Sequence, residues 1–241
     1  MRSFFLHFCD LNAMLGLLYA PIRKPNIALK IAMYDRRVPS HEGQSPRRRT
    51  TPRKGDLREA AILDAAERQL SDRGAERITV ETIATAAGIT RGALYFYFAS
   101  KNDVLAALVQ RTADAVVAAI ENADQTAPED PREALRQGLD RTAEAWGEHG
   151  AVMRAAVELS PSVPLIETCW HAALAAAGGA TCRVLVRAGV PDEDGPHGAQ
   201  AISTALVLMT ERYFYRAFTQ GTSLTDAART LADIWLAVLP S

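Results

Sequence analysis

Three observations make this an all-α protein. From Asp56 to Leu239 the chain is rich in Ala and Leu, with apolar residues at helical spacing and little strand-like alternation. That stretch is punctuated by helix-breaking positions at Gly74, Gly88, Ala99–Ser100, Thr126–Pro131, Gly147–Gly150, Pro161–Pro164, Gly189–Pro196 and Gly221–Ser223, which divide it into about nine helices, the first three short and the later ones longer. The chain has 241 residues, 48% of them hydrophobic and 7% aromatic, which is ample material for a core and excludes disorder throughout. Three widely spaced cysteines, Cys9, Cys169 and Cys182, are too few and too odd in number for a disulfide scaffold, and they lack metal-ligand spacing. A reducing cytoplasm is the compartment this composition suggests.

The net charge of −1 conceals a strong asymmetry. Residues 1–55 carry 11 Lys or Arg against 3 Asp or Glu, residues 56–111 carry 7 against 8, and residues 112–241 carry 9 against 17. A basic head on an acidic body points to a polyanionic partner at one end only.

Residues 1–55 read as a disordered basic arm. Over 35–55 the composition is Pro, Ser, Gly and Arg with almost no aliphatic residue, too little apolar surface to fold alone. Arg47, Arg48 and Arg49 form its most basic run and are candidate phosphate contacts. Residues 1–32 admit three readings. They are a disordered tail, a signal peptide with Arg2 at its start and cleavage near Ala20, or sequence upstream of a start at Met33. Their broken apolar run is too short to cross a membrane, which takes about 20 apolar residues.

The next segment, 56–103, holds the densest local signals. Its first helix runs from Leu57 to Asp72, with Ile62, Ala66 and Leu70 on one face. Thr79 is the N-cap of the second helix, and Ile78 with Ile83 forms a hydrophobic staple across that cap. The device recurs eleven residues on, where Thr90 caps a third helix stapled by Ile89 and Leu94, after a turn that Gly88 makes possible. Two short helices joined by a Gly-containing turn make a helix-turn-helix. Leu94 and Phe98 anchor the third helix inward, and its first turn offers Thr90, Arg91, Gly92 and Ala93 to a groove. Tyr95, Tyr97 and, at the start of the fourth helix, Lys101 are placed to reach phosphates. Ser100 and Asp103 form the capping pair of that fourth helix.

The run from Gly88 to Lys101 (GITRGALYFYFASK), preceded by Ile78 to Ala87 (ITVETIATAA), closely resembles the DNA-binding signature of TetR-family transcriptional regulators. The resemblance spans roughly residues 57–105 and implies a three-helix reader, an all-α effector-binding and dimerisation bundle over 104–241, and a double-stranded DNA operator as partner. Carried over position by position, it makes Thr79, Thr90, Arg91, Gly92, Ala93, Tyr95, Tyr97 and Lys101 the DNA contacts. The segments Leu208–Arg212 and Asp233–Leu236 are similar to the EthR-like branch, which implies a channel for a small lipophilic effector. Thr210 stands where the best-known channel of that branch has Asn.

In the C-terminal body, aromatic and Met side chains at helical spacing read as core and as pocket lining at once, because effector pockets lie between bundle helices. The candidate lining is Trp146, Met153, Trp170, Met209, Thr210, Phe214 and Trp235, with Thr210 and Glu211 as polar anchors for an apolar or amphipathic effector. The resemblance places a homodimer interface on 199–219 and 223–239, where Ala201, Ala205, Leu208, Leu231, Ile234 and Val238 supply apolar positions.

Catalysis finds no foothold in these residues. Gly178-Gly179 has no preceding strand and no phosphate-loop Lys, and His149, His171 and His197 are solitary. The expectation is therefore a ligand-released, homodimeric, sequence-specific repressor on a pseudo-palindromic operator, associated with the nucleoid, with no metal, no cofactor, no membrane partner and no catalytic residue. A small-molecule-binding or interaction protein with a vestigial helix-turn-helix is the rival reading.

Overall fold

A computed structural model describes residues 54–125 and 128–240. Among these the chain is helical, with eight helices and no strand. They are α1 (Lys54–Arg73), α2 (Val80–Ala86), α3 (Arg91–Tyr97), α4 (Lys101–Gln125), α5 (Pro131–Leu159), α6 (Pro164–Arg187), α7 (Ala199–Gln220) and α8 (Leu224–Ala237). The readings of the arm, including Arg47, Arg48 and Arg49, and of residues 1–32 fall outside the described residues, while α1 already begins at Lys54.

The reader is assembled by its caps. Thr79 Oγ1 accepts from the backbone N–H of Thr82 at 3.1 Å, and Thr82 Oγ1 accepts from the N–H of Thr79 at 3.0 Å, closing a capping box at the start of α2. Thr90 caps α3 in the same way through Ala93 N–H, 3.1 Å away. Gly88, at φ +65°, supplies the left-handed residue that ends α2 and turns the chain into α3. Ile62, Ala66, Leu70, Ile78, Ile83, Leu94 and Phe98 are all buried, and α4 closes this core with Val104, Leu105 and Leu108.

The bundle packs α4 against α6, α6 against α7 and α8 against α5, while α1 docks on both α4 and α5. Its centre is Trp146, stacked on Phe214 at 6.5 Å between ring centroids, with Leu139, Ile166, Leu185 and Leu231 fully buried around it. Among the described residues one helix, α6, is long and apolar enough to span a bilayer by length and composition. Here its buried side, from Ile166 through Trp170 and Ala173 to Leu185, is used against neighbouring helices.

The break expected at Gly147–Gly150 is a kink within one 29-residue helix, and this accounts for eight helices where about nine were expected. Only His149 leaves helical geometry, at φ −118° and ψ 15°. Gly150 explains the location, because the Phe218 ring occupies the space a Cβ would take. Gly147 has open space around its Cα. Gly150→Ala should therefore lower stability by about 1–3 kcal/mol through overpacking, read as a fall in Tm of several degrees. Gly147→Ala should raise it by about 0.5–1 kcal/mol. Thermal melts followed by circular dichroism check both, and equal Tm values would contradict the packing account.

Candidate DNA-reading surface and effector cavity

Helix α3 rests chiefly on α2, so only one of its sides is buried. Leu94 and Phe98 take that side, and Arg91, Gly92, Ala93 and Tyr95 lie exposed on the other. Arg91 is held rather than free. Its Nη2 donates to Tyr95 Oη at 3.0 Å, and the guanidinium carbon lies 5.4 Å from the centroid of the Tyr95 ring. The hydrogen bond from Arg91 to Tyr95 pushes the Arg91 pKa above its ordinary value. Preorganisation of this kind reduces the rotamer entropy that the guanidinium has to lose on binding.

The remaining expected contacts are placed differently. The Thr79 and Thr90 oxygens serve as caps, and the Thr79 hydroxyl also donates to Thr82 Oγ1 at 3.4 Å, which leaves the Thr90 hydroxyl proton as the group that could reach a phosphate. Tyr97 is half-buried against the reader core, with its ring edge-on to Phe96 at 5.4 Å. The Lys101 ammonium donates to the carbonyl of Ala75 at 3.3 Å, which ties α4 to the turn after α1. Phe96, by contrast, is 85% exposed in the middle of the reading face and was not among the expected contacts. Its position could have been found from the sequence, since it sits about 200° around the helix from both inward anchors, Leu94 and Phe98.

The second feature is a cavity of about 790 Å³ between α4, α5, α6, α7 and α8. Small residues create it. Ala115 and Ala119 of α4, Gly138 of α5, and Ala173, Ala177 and Ala180 of α6 all face it, so no side chain fills the centre. Of the seven expected lining residues, Trp146, Met153, Trp170, Thr210 and Trp235 line the cavity together. Met209 and Phe214 do not. Phe214 is fully buried behind the wall, stacked on Trp146, and Met209 packs half-buried against the core, about 100° around α7 from Thr210.

Two polar atoms in this mostly apolar space have no hydrogen-bond partner among the described residues, Thr210 Oγ1 and Trp235 Nε1, and both are buried. Trp170 Nε1 does have one, donating to Glu211 Oε1 at 3.3 Å. Arg141, Glu144, Glu148 and His149 add charged and titratable groups to the lining. Sequence reasoning missed these and the whole α4 contribution, because a run of Ala in a helix carries no sign of what it faces.

A reading helix with one free face, coupled through a long helix to a bundle that encloses a ligand-sized cavity, defines a helix-turn-helix transcriptional regulator. Residues 62–108 match the family described as bacterial regulatory proteins, tetR family, and residues 135–239 match the C-terminal domain of the transcriptional regulator EthR. The chain is 33% identical over 201 residues to the HTH-type transcriptional regulator EthR of Mycolicibacterium smegmatis, covering 80% of this chain and 91% of that one. It is 34% identical over 204 residues to EthR of Mycobacterium tuberculosis, covering 78% and 90%. A solved TetR transcription regulator from Haloarcula marismortui has the same fold, with a TM-score of 0.64 at 20% identity over 76% of this chain and 99% of that one. The chain belongs to the TetR family of bacterial transcriptional regulators, in its EthR-like branch. This favours a working DNA reader over a vestigial one.

The reading face leads to a direct test. Arg91→Ala should cost about 1–3 kcal/mol of operator binding and relax base preference at one position. Tyr95→Phe, which keeps the ring but removes the hydroxyl that accepts from Arg91, should cost less and leave base preference unchanged. Gel-shift titration on a duplex selected from a random pool measures both, and parent-like binding by Arg91→Ala would show that α3 reads DNA differently.

Proposed function

We propose that this regulator is a homodimeric repressor that leaves a pseudo-palindromic operator when a small apolar or amphipathic effector enters the cavity. The observation that carries the proposal is the pair of unpartnered buried groups, Thr210 Oγ1 and Trp235 Nε1, in a mostly apolar space of about 790 Å³. Leaving such groups unsatisfied is costly, and a ligand oxygen offered to both would remove the penalty. The indole can only donate and the hydroxyl can also donate, so the matching group is a neutral acceptor such as an ester or amide carbonyl on an apolar body. Thr210, Trp235, Trp146, Met153 and Trp170 are the proposed ligand contacts.

An exposed apolar strip supports the dimer. Ala201, Ala205 and Leu208 of α7 and Ile234 and Val238 of α8 are all exposed, and Leu208 is 52% so. Leu231 belongs elsewhere, since it is fully buried in the chain's own core. Two copies joined there would present their α3 helices to major grooves about 34–36 Å apart. Arg47, Arg48 and Arg49 are assigned to phosphate contacts, and the regulator to the cytoplasm and the nucleoid, with no cofactor, metal, membrane or catalytic role.

Methyl esters of 8- to 16-carbon acids serve as probes. At a hundredfold excess over Kd, a binding ester should stabilise the protein by about 2.7 kcal/mol, a rise in Tm of several degrees, and should weaken operator binding. Thr210→Val should abolish most of the shift. If no ester in the series moves Tm or operator affinity, the effector class is wrong. For the arm, replacing Arg47, Arg48 and Arg49 with Gln should flatten the plot of log affinity against log salt by up to about three units per protomer. An unchanged slope would mean that the arm does not touch phosphates.

A further inference from the structure

The charged groups between reader and bundle converge on one carboxylate. Glu67, on α1, has both oxygens engaged by different helices. Its Oε2 accepts from Arg111 Nη2 of α4 at 2.8 Å, and its Oε1 lies 3.1 Å from His149 Nδ1 of α5. Arg111 also reaches Asp64, one turn earlier on α1, with Nη1 to Oδ1 at 2.6 Å. Among the described residues, the other charged group within 4 Å of His149 is its neighbour Glu148, 3.9 Å from Nε2.

The two partners of Glu67 belong to two walls of the cavity. Arg111 sits one turn before Ala115, where the α4 lining begins, and on the same helix face. His149 lines the cavity itself, and it is the one residue of α5 outside helical geometry, beside the Gly150 that Phe218 pins in place. His149 thus joins the cavity wall to α1 at the kink, and Glu148 lines the same wall. Glu67 meets Arg111 at 2.8 Å and His149 at 3.1 Å, so both contacts persist only while α4 and α5 stay within reach of these side chains.

We infer that Glu67 is a positioning residue that clamps α4 to α5 at the separation that suits DNA reading, and that His149 is the point where cavity occupancy opens the clamp. The inference rests on the cavity being the release site. A ligand that wedges α4 from α5, or competes for the His149 ring, breaks one arm of the clamp and frees α1 to rotate with the reader. These side chains are a quarter to a half exposed, so the clamp adds little to stability. Its effect is on orientation.

The test is a double-mutant cycle on the full chain, with affinity measured for a duplex selected by the parent. His149→Ala and Glu67→Ala should each weaken binding about tenfold, within the usual range of coupling between sites. The double variant should lose no more than either alone. His149→Gln, which keeps a donor for the carboxylate, should restore most of the affinity, which a loss of packing would not predict. Tm should stay within a few degrees of the parent throughout. Single variants that bind as the parent does, or losses that multiply in the double variant, overturn the clamp. The reading of the cavity is tested separately by ester-driven release of the parent: release with a flat cycle sinks the clamp alone, whereas an intact cycle without release sinks the effector reading and leaves the clamp as a fixed positioning contact.

Discussion

Helix α4 has to satisfy two cores with one rigid rod, and most of the molecule follows from that. Its first turns bury Val104, Leu105 and Leu108 beneath the reader, and its later turns expose Ala115, Val116, Ala119 and Ile120 to the cavity. A continuous helix of 25 residues spans about 37 Å and does not bend to suit one end alone. Whatever moves its far half relative to α5 and α6 is therefore transmitted to the helices that rest on its near half. The reader is small, and much of its bottom layer is α4 itself.

The cavity is the second half of that arrangement. A bundle of this size would gain stability by filling the space between α4 and α6 with Leu or Ile, since voids forfeit dispersion contacts. Alanines at 115, 119, 173, 177 and 180 keep it open, and Thr210 and Trp235 place polar groups where no partner among the described residues meets them. Both features cost folding energy, and the proposed effector would offset that cost through matching shape and hydrogen bonding. Sequence-level rules that look for a filled, satisfied core fail at this place for a functional reason.

The reader was largely legible in the sequence because its signals are local. Thr79, Thr90 and Ser100 announce helix starts within three or four residues, and the structure bears out each of these caps. Features built from distant residues were not legible. Glu67 and His149 are 82 positions apart, and nothing in a lone His on an Ala-rich helix reveals its partner. Gly147–Gly150 read as a break because two glycines in one turn usually end a helix, whereas Phe218, nearly seventy residues on, makes Gly150 a packing requirement instead. Leu231 and Leu208 look alike as apolar residues on neighbouring helices, yet one is core and the other surface. Only the rotation of α7 and α8 against the bundle decides between them.

In the proposed mechanism, cavity and reading face are two ends of one equilibrium, joined through α4. Thermodynamic linkage then requires reciprocity. Calorimetric titration of a cavity-binding ester into the free protein, and into the protein saturated with its selected duplex, measures that linkage directly. The account predicts that bound DNA weakens ester binding by the same factor by which the ester weakens DNA binding. Equal ester affinity in the two states would contradict it, because a ligand that does not distinguish the states cannot shift them.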